Sequence, residues 1–272
     1  MTWFSLKRTL QSDVTSSIEV LNHTDQYESG LNLHKPLRYS TVLLSISKTT
    51  HLCHQNIPLK KVRRHETVTY ISAISHKLGK IWHQPVGKIA STLVTVLEAQ
   101  TTRPVWADIR SCDRGWIEFI ISQSGIERWR QRLLQWEASR MGQPLSPMSA
   151  DVLWQLQSGY ELCCRWQANY RTVRNTALQS SIEPGLIPFQ VSAPLQNLIH
   201  CLLDICDYWD SASLPQRLRQ ARQLVLALET CTGVTSPCSP TAETLSSWIE
   251  PAGIVLEQLI CGQFGYPIAK RF

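Results

Sequence analysis

Four cations within five residues, Lys60, Lys61, Arg63 and Arg64 (KKVRR), could neutralise nucleic-acid phosphates. The same run could equally be a solvated entry to a helix expected from about Thr67. Arg128, Arg130 and Arg132 surround Trp129, with Trp136 beyond, an alternation of cation and ring suited to backbone contact plus base stacking. Helical neighbours point to different sides, so at best two of these arginines share a surface with a tryptophan. His76 and His83 can share a helical face near Glu66 or Glu98, but a metal site needs a third close ligand. None of the paired cysteines, Cys163 with Cys164, Cys201 with Cys206 and Cys231 with Cys238, has Cys-x-x-Cys spacing. They read as buried structural thiols. The GKIAS run at 87–91 lacks the first glycine and the spacing of a phosphate loop, and no nucleophile elbow or Ser-His-Asp order is present. No reaction centre and no cofactor are expected.

The elements that would position these groups follow from periodicity. Trp116–Ile121 (WIEFII) has strand chemistry and runs into apolar residues at helical spacing after Gly125. Pro104–Arg110 (PVWADIR) is a second strand candidate, with Ser111–Gly115 as hairpin turn. Ile71, Ile74, Leu78 and Ile81 form one helical stripe, and Val86, Ile89, Ala90, Leu93 and Leu97 form another behind Pro85. Phe4–Leu21 allows an amphipathic helix, the polar stretch from Asn22 to Lys35 reads as loop, and Tyr39–Ser47 reads as a strand. Met141–Ala150, with two prolines, reads as a linker. Beyond it, Asp151–Tyr170, a stripe from Leu195 to Trp209, a stripe from Leu214 to Leu228, and Ile254–Ile260 predict helices, the middle two forming an antiparallel pair.

The expected organisation is an α+β domain over 1–140, a linker over 141–150 and an all-α helical bundle over 151–272, mainly α overall. A chain of 272 residues can bury two cores, and 27 Lys and Arg against 21 Asp and Glu give a charge of +6 that permits an acidic partner without demanding one. Ten tryptophans bring large buried area, mostly to core or interface. Nine cysteines without scaffold spacing favour a reducing setting. The first residues lack a signal-peptide apolar region and no 18-residue apolar run is present, so a soluble cytoplasmic protein without a membrane segment is expected.

Taken together, the parts resemble arginyl-tRNA synthetases with the middle missing. Tyr70–Leu134 looks like the synthetase N-terminal additional domain, matching at Lys80, Pro85, Ile89, Ala90, Leu97, Gly115, Trp116 and Ile117. From about residue 151 the chain resembles the DALR-type anticodon-binding domain, and its last residues, QFGYPIAKRF, resemble the family's ending. The family's Gln-Tyr-Ala-His-Ala-Arg is matched at Gln157 but not at Ser158, Gly159, Tyr160, Glu161 and Leu162. The catalytic domain has no counterpart in the ten residues from Met141 to Ala150.

The resemblance implies a non-enzymatic protein binding tRNA or tRNA-like RNA. Charge and spacing pick out the candidate contacts, Lys60, Lys61, Arg63 and Arg64 in the first module and Arg165, Arg171, Arg174 and Arg219 in the second. The alternative is a protein-interaction or assembly factor that keeps the fold without RNA.

Overall fold

A computed structural model describes residues 5–29, 57–63, 67–100, 105–136, 148–179, 192–239 and 241–268. They are mostly helical, with one small four-stranded antiparallel sheet. The chain divides into two compact units, Met1–Arg128 and Trp129–Phe272. The division therefore falls before the expected end at residue 140, and most of the expected linker, 141–147, lies outside the described residues, as does the expected strand Tyr39–Ser47.

The first unit comprises α1 (Leu6–Ser29), β1 (Leu59–Arg63), β2 (Val68–Ser72), α2 (Ile74–Trp82), α3 (Val86–Gln100), β3 (Trp106–Cys112), a 3₁₀ turn (Asp113–Gly115), β4 (Trp116–Ile121) and the first part of α4 (Gln123–Leu134). The sheet order is β1-β2-β4-β3, so among the described residues β1 and β3 are its edges. Two expectations change here. The helix expected from Thr67 begins only at Ile74, because Val68–Ser72 (VTYIS) is largely β-branched or aromatic and pairs with both β1 and β4. Ser72 then ends the strand and starts the helix: its hydroxyl accepts from Ile74 N–H at 3.3 Å and donates to the Pro58 carbonyl at 2.9 Å. The stretch from Asn22 is not wholly loop either, since α1 continues to Ser29.

Alternation along the strands puts Tyr70, Ile117, Phe119 and Ile109 into a core with Leu78, Leu93 and Leu97 from the helices. The Trp106 ring meets Phe119 edge-on at 5.7 Å. α1 contributes Leu10 and Val14, packs on α3, and holds the chain before β1 through Gln11, whose amide donates to the Ile57 carbonyl at 2.8 Å.

The second unit contains the rest of α4, α5 (Ala150–Gln179), α6 (Ala193–Asp207), α7 (Leu214–Val234), α8 (Ala242–Glu257) and a terminal π turn (Gln258–Gln263). The two predicted stripes are α6 and α7, which pack on each other, each with a proline in its first turn where no helical N–H is needed. α5 approaches α7 closely at Gly159, where a Cβ would lie 2.6 Å from Val225 Cγ2. Buried thiols are found as expected at Cys163, Cys201, Cys206 and Cys231, but Cys164 and Cys238 are exposed. Among the described residues no helix is long and apolar enough to cross a membrane.

Candidate nucleic-acid interface

In the first unit a surface pocket of about 470 Å³ is lined by His76, Val86, Gly87, Ser91, Ser111, Cys112, Arg114 and Gly115. Three elements build it. α2 supplies His76, whose Nε2 is buried without a hydrogen-bond partner among the described residues, while its ring lies 5.6 Å from that of the partly exposed Trp116. α3 supplies its first turn, Val86 and Gly87, and Ser91 one turn later. The β3–β4 hairpin supplies Arg114 and Gly115, both left-handed with φ of 68° and 79°. Gly115 is required twice over, because its φ disfavours a side chain and a Cβ there would collide with Val86. The Ser75 hydroxyl donates to the Gly115 carbonyl and fixes the hairpin against α2.

The first turn of α3 presents backbone N–H groups at the positive end of a 15-residue helix. Arg114 is exposed at the rim, and Lys80 and Lys88 are exposed on the two helices. An imidazole ring backed by the Trp116 indole, hydroxyls and a cationic rim suit a ligand with both a planar ring and a negative charge. The volume suits one nucleotide. The GKIAS run is thus no phosphate loop, yet its Gly87 and Ser91 line the pocket. The sequence hides this site because its parts come from three elements; the one local signal was the Arg-Gly at 114–115, a turn pair.

Lys60, Lys61 and Arg63 lie on edge strand β1, which sends Lys61 and Arg63 to the side of buried Leu59 and Lys60 to the other. The expected cluster is therefore split across the sheet, and Arg64 lies outside the described residues. Lys60 instead shares a row with Ile71, Glu118 and Arg110 across the less covered face. Glu118, only 2% exposed, accepts from Arg110 Nε at 2.7 Å and from the Cys112 thiol at 3.6 Å. That carboxylate raises the Arg110 pKa through its hydrogen bond and charge, keeping the guanidinium charged.

In the second unit Arg165, Arg171 and Arg174 are exposed on α5 and Arg219 on α7. At about 100° per residue Arg171 and Arg174 are near neighbours, whereas Arg165 stands on the opposite side from Arg174. Arg165 instead shares a stripe with Trp154, 70% exposed and three turns earlier. The chain's last described residues lie against the start of this helix: Gln157 Nε2 donates to the Pro267 carbonyl at 3.2 Å, and Met148 N–H to the Tyr266 hydroxyl at 2.9 Å. The stacking arrangement around Trp129 does not form. Trp129 is buried with its ring 6.2 Å from Trp248, Trp136 meets Trp209 edge-on at 4.9 Å, and buried Arg130 donates from Nη1 to the Ser247 carbonyl at 2.9 Å. Among the described residues no three His, Cys, Asp or Glu side chains gather closely enough to hold a metal.

Comparison with protein-family models, with curated proteins and with solved structures finds no match for this chain.

Proposed function

We propose that the chain is a non-catalytic RNA-binding protein that takes tRNA or tRNA-like RNA, a relative of arginyl-tRNA synthetases reduced to two RNA-contacting modules. The pocket between α2, α3 and the β3–β4 hairpin carries this reading: it is sized for one unstacked nucleotide and has a cationic rim. In this scheme a base lies against Trp116 and His76, its phosphate meets Arg114 and the first turn of α3, and Lys80 and Lys88 hold flanking phosphates. The second unit adds Arg165 and Trp154 on one side of α5 and Arg171 and Arg174 on another. No reaction is required: binding alone uses every group named.

Titration of the full chain with bulk tRNA at low salt tests this. Trp116→Ala should weaken binding roughly tenfold, because a stacked base contributes about 1–3 kcal/mol. Absence of any tRNA binding by the unaltered chain at low salt, where phosphate attraction is strongest, would overturn the proposal. The second reading is a protein-interaction or assembly factor that keeps the fold without binding RNA. A stoichiometric protein co-purifying without RNA would establish that reading instead.

A further inference from the structure

α8 carries a proline at position 251, in the middle of the helix. Proline has no N–H to donate four residues back, and its ring crowds that carbonyl. The carbonyl concerned is Ser247, and it is the one that Arg130 meets, Nη1 to O at 2.9 Å. The preceding carbonyl, Ser246, accepts from Gln167 Nε2 at 3.0 Å. Two side chains from outside the helix thus hold consecutive carbonyls one turn before the proline. Arg130 is buried, so its role is fixed by what it touches rather than by solvent.

Beyond the proline come the last turns of α8, the π turn and the C-terminal tail. The Phe264 and Tyr266 N–H groups donate to the Leu259 and Ile260 carbonyls, both at 2.9 Å, so the tail moves with the π turn that ends α8. From Pro251 to Gln263 the lever is about 18 Å at 1.5 Å per residue, and a turn of roughly 20° in the helix axis at Pro251 would carry its end about 6 Å. A shift of that size would break both hydrogen bonds that meet the tail here, Gln157–Pro267 of 3.2 Å from α5 and Met148–Tyr266 of 2.9 Å from the segment just before it.

We infer that Arg130 is a positioning residue: by replacing the helical donor that Pro251 lacks, it fixes the course of α8 past the proline and thereby seats the C-terminal tail on the first turns of α5. The assignment is independent of what the protein binds. Arg130 was a candidate nucleic-acid contact by sequence, and the geometry gives it an internal partner instead.

Hydrogen exchange on the full chain tests it with Arg130→Met, Pro251→Ala and the double variant. Arg130→Met should speed exchange at Met148, Phe264 and Tyr266 by about tenfold or more while the α7 amides from Leu224 to Leu228 change far less, as local opening requires. Pro251→Ala restores the helical donor to Ser247, so the double variant should recover tail protection. A uniform change across the bundle, an unchanged tail, or a tail still fast in the double variant would overturn the assignment. Should Arg130→Met fail to fold, the double variant must fold, and its failure would count equally against the inference.

Discussion

Replacing Gly115 with alanine tests the pocket's construction directly. At φ of 79° an L side chain is disfavoured by about 1–2 kcal/mol. The new Cβ would also press on Val86, whose own Cβ and carbonyl carbon would stand 3.2 Å away and a γ-methyl closer still. Overpacking of this kind costs about 1–3 kcal/mol, so Gly115→Ala should destabilise the first unit by about 2–5 kcal/mol. Val86→Ala in the same chain removes the colliding methyl but not the backbone cost, and should return about 1–3 kcal/mol. Exchange of the buried β2 and β4 amides, which report the first unit alone, measures both against urea. The hairpin must move away from α3 to admit the methyl, so RNA affinity should fall alongside stability. A Gly115→Ala chain within about 0.5 kcal/mol of the parent, or a double variant no more stable than the single, would refute the reasoning.

Two further outcomes are expected. Replacing Lys60, Lys61, Arg63 and Arg64 together by alanine should weaken tRNA binding for every sequence alike and flatten its salt dependence; titrations at two salt concentrations measure it, and an altered preference among tRNAs would contradict it. Burial raises the Asp13 carboxyl from 3.8 to about 6, so between those values the folded chain binds the extra proton and stability falls as pH rises. Asp13→Asn should therefore raise the melting temperature at pH 7.5 and leave it nearly unchanged near pH 3.5, and an equal gain at both would remove burial as the cause.

The sequence shows β4 and α4 clearly, because Trp116–Ile121 alternates across a sheet with only one well-covered face and the helix follows at once. β2 was less legible. Ile71 falls by chance in the same spacing as Ile74, Leu78 and Ile81, so a strand and the helix after it read as one stripe, and only pairing on both sides decides for the strand. The arginines around Trp129 show a different limit. Charge and spacing give the chemistry of Arg130, but its destination depends on an orphan carbonyl created by a proline far along the chain. The pocket was hidden for the same reason, since His76, Gly87 and Arg114 come together only through the sheet order. The KKVRR run was legible as charge and not as a patch, because a strand distributes neighbours to opposite faces.

The two edges of the sheet are guarded by different means. On β3 the register shifts between Trp106 and Asp108, an irregularity that twists a strand away from any newcomer. On β1 the edge is short and carries Lys60, Lys61 and Arg63, which repel a second copy of themselves. A polyanion bound there would neutralise the guard on that edge and leave the other in place. Any strand-to-strand growth should then begin at β1, stop after one pairing because β3 cannot propagate it, and yield discrete pairs of molecules instead of fibres.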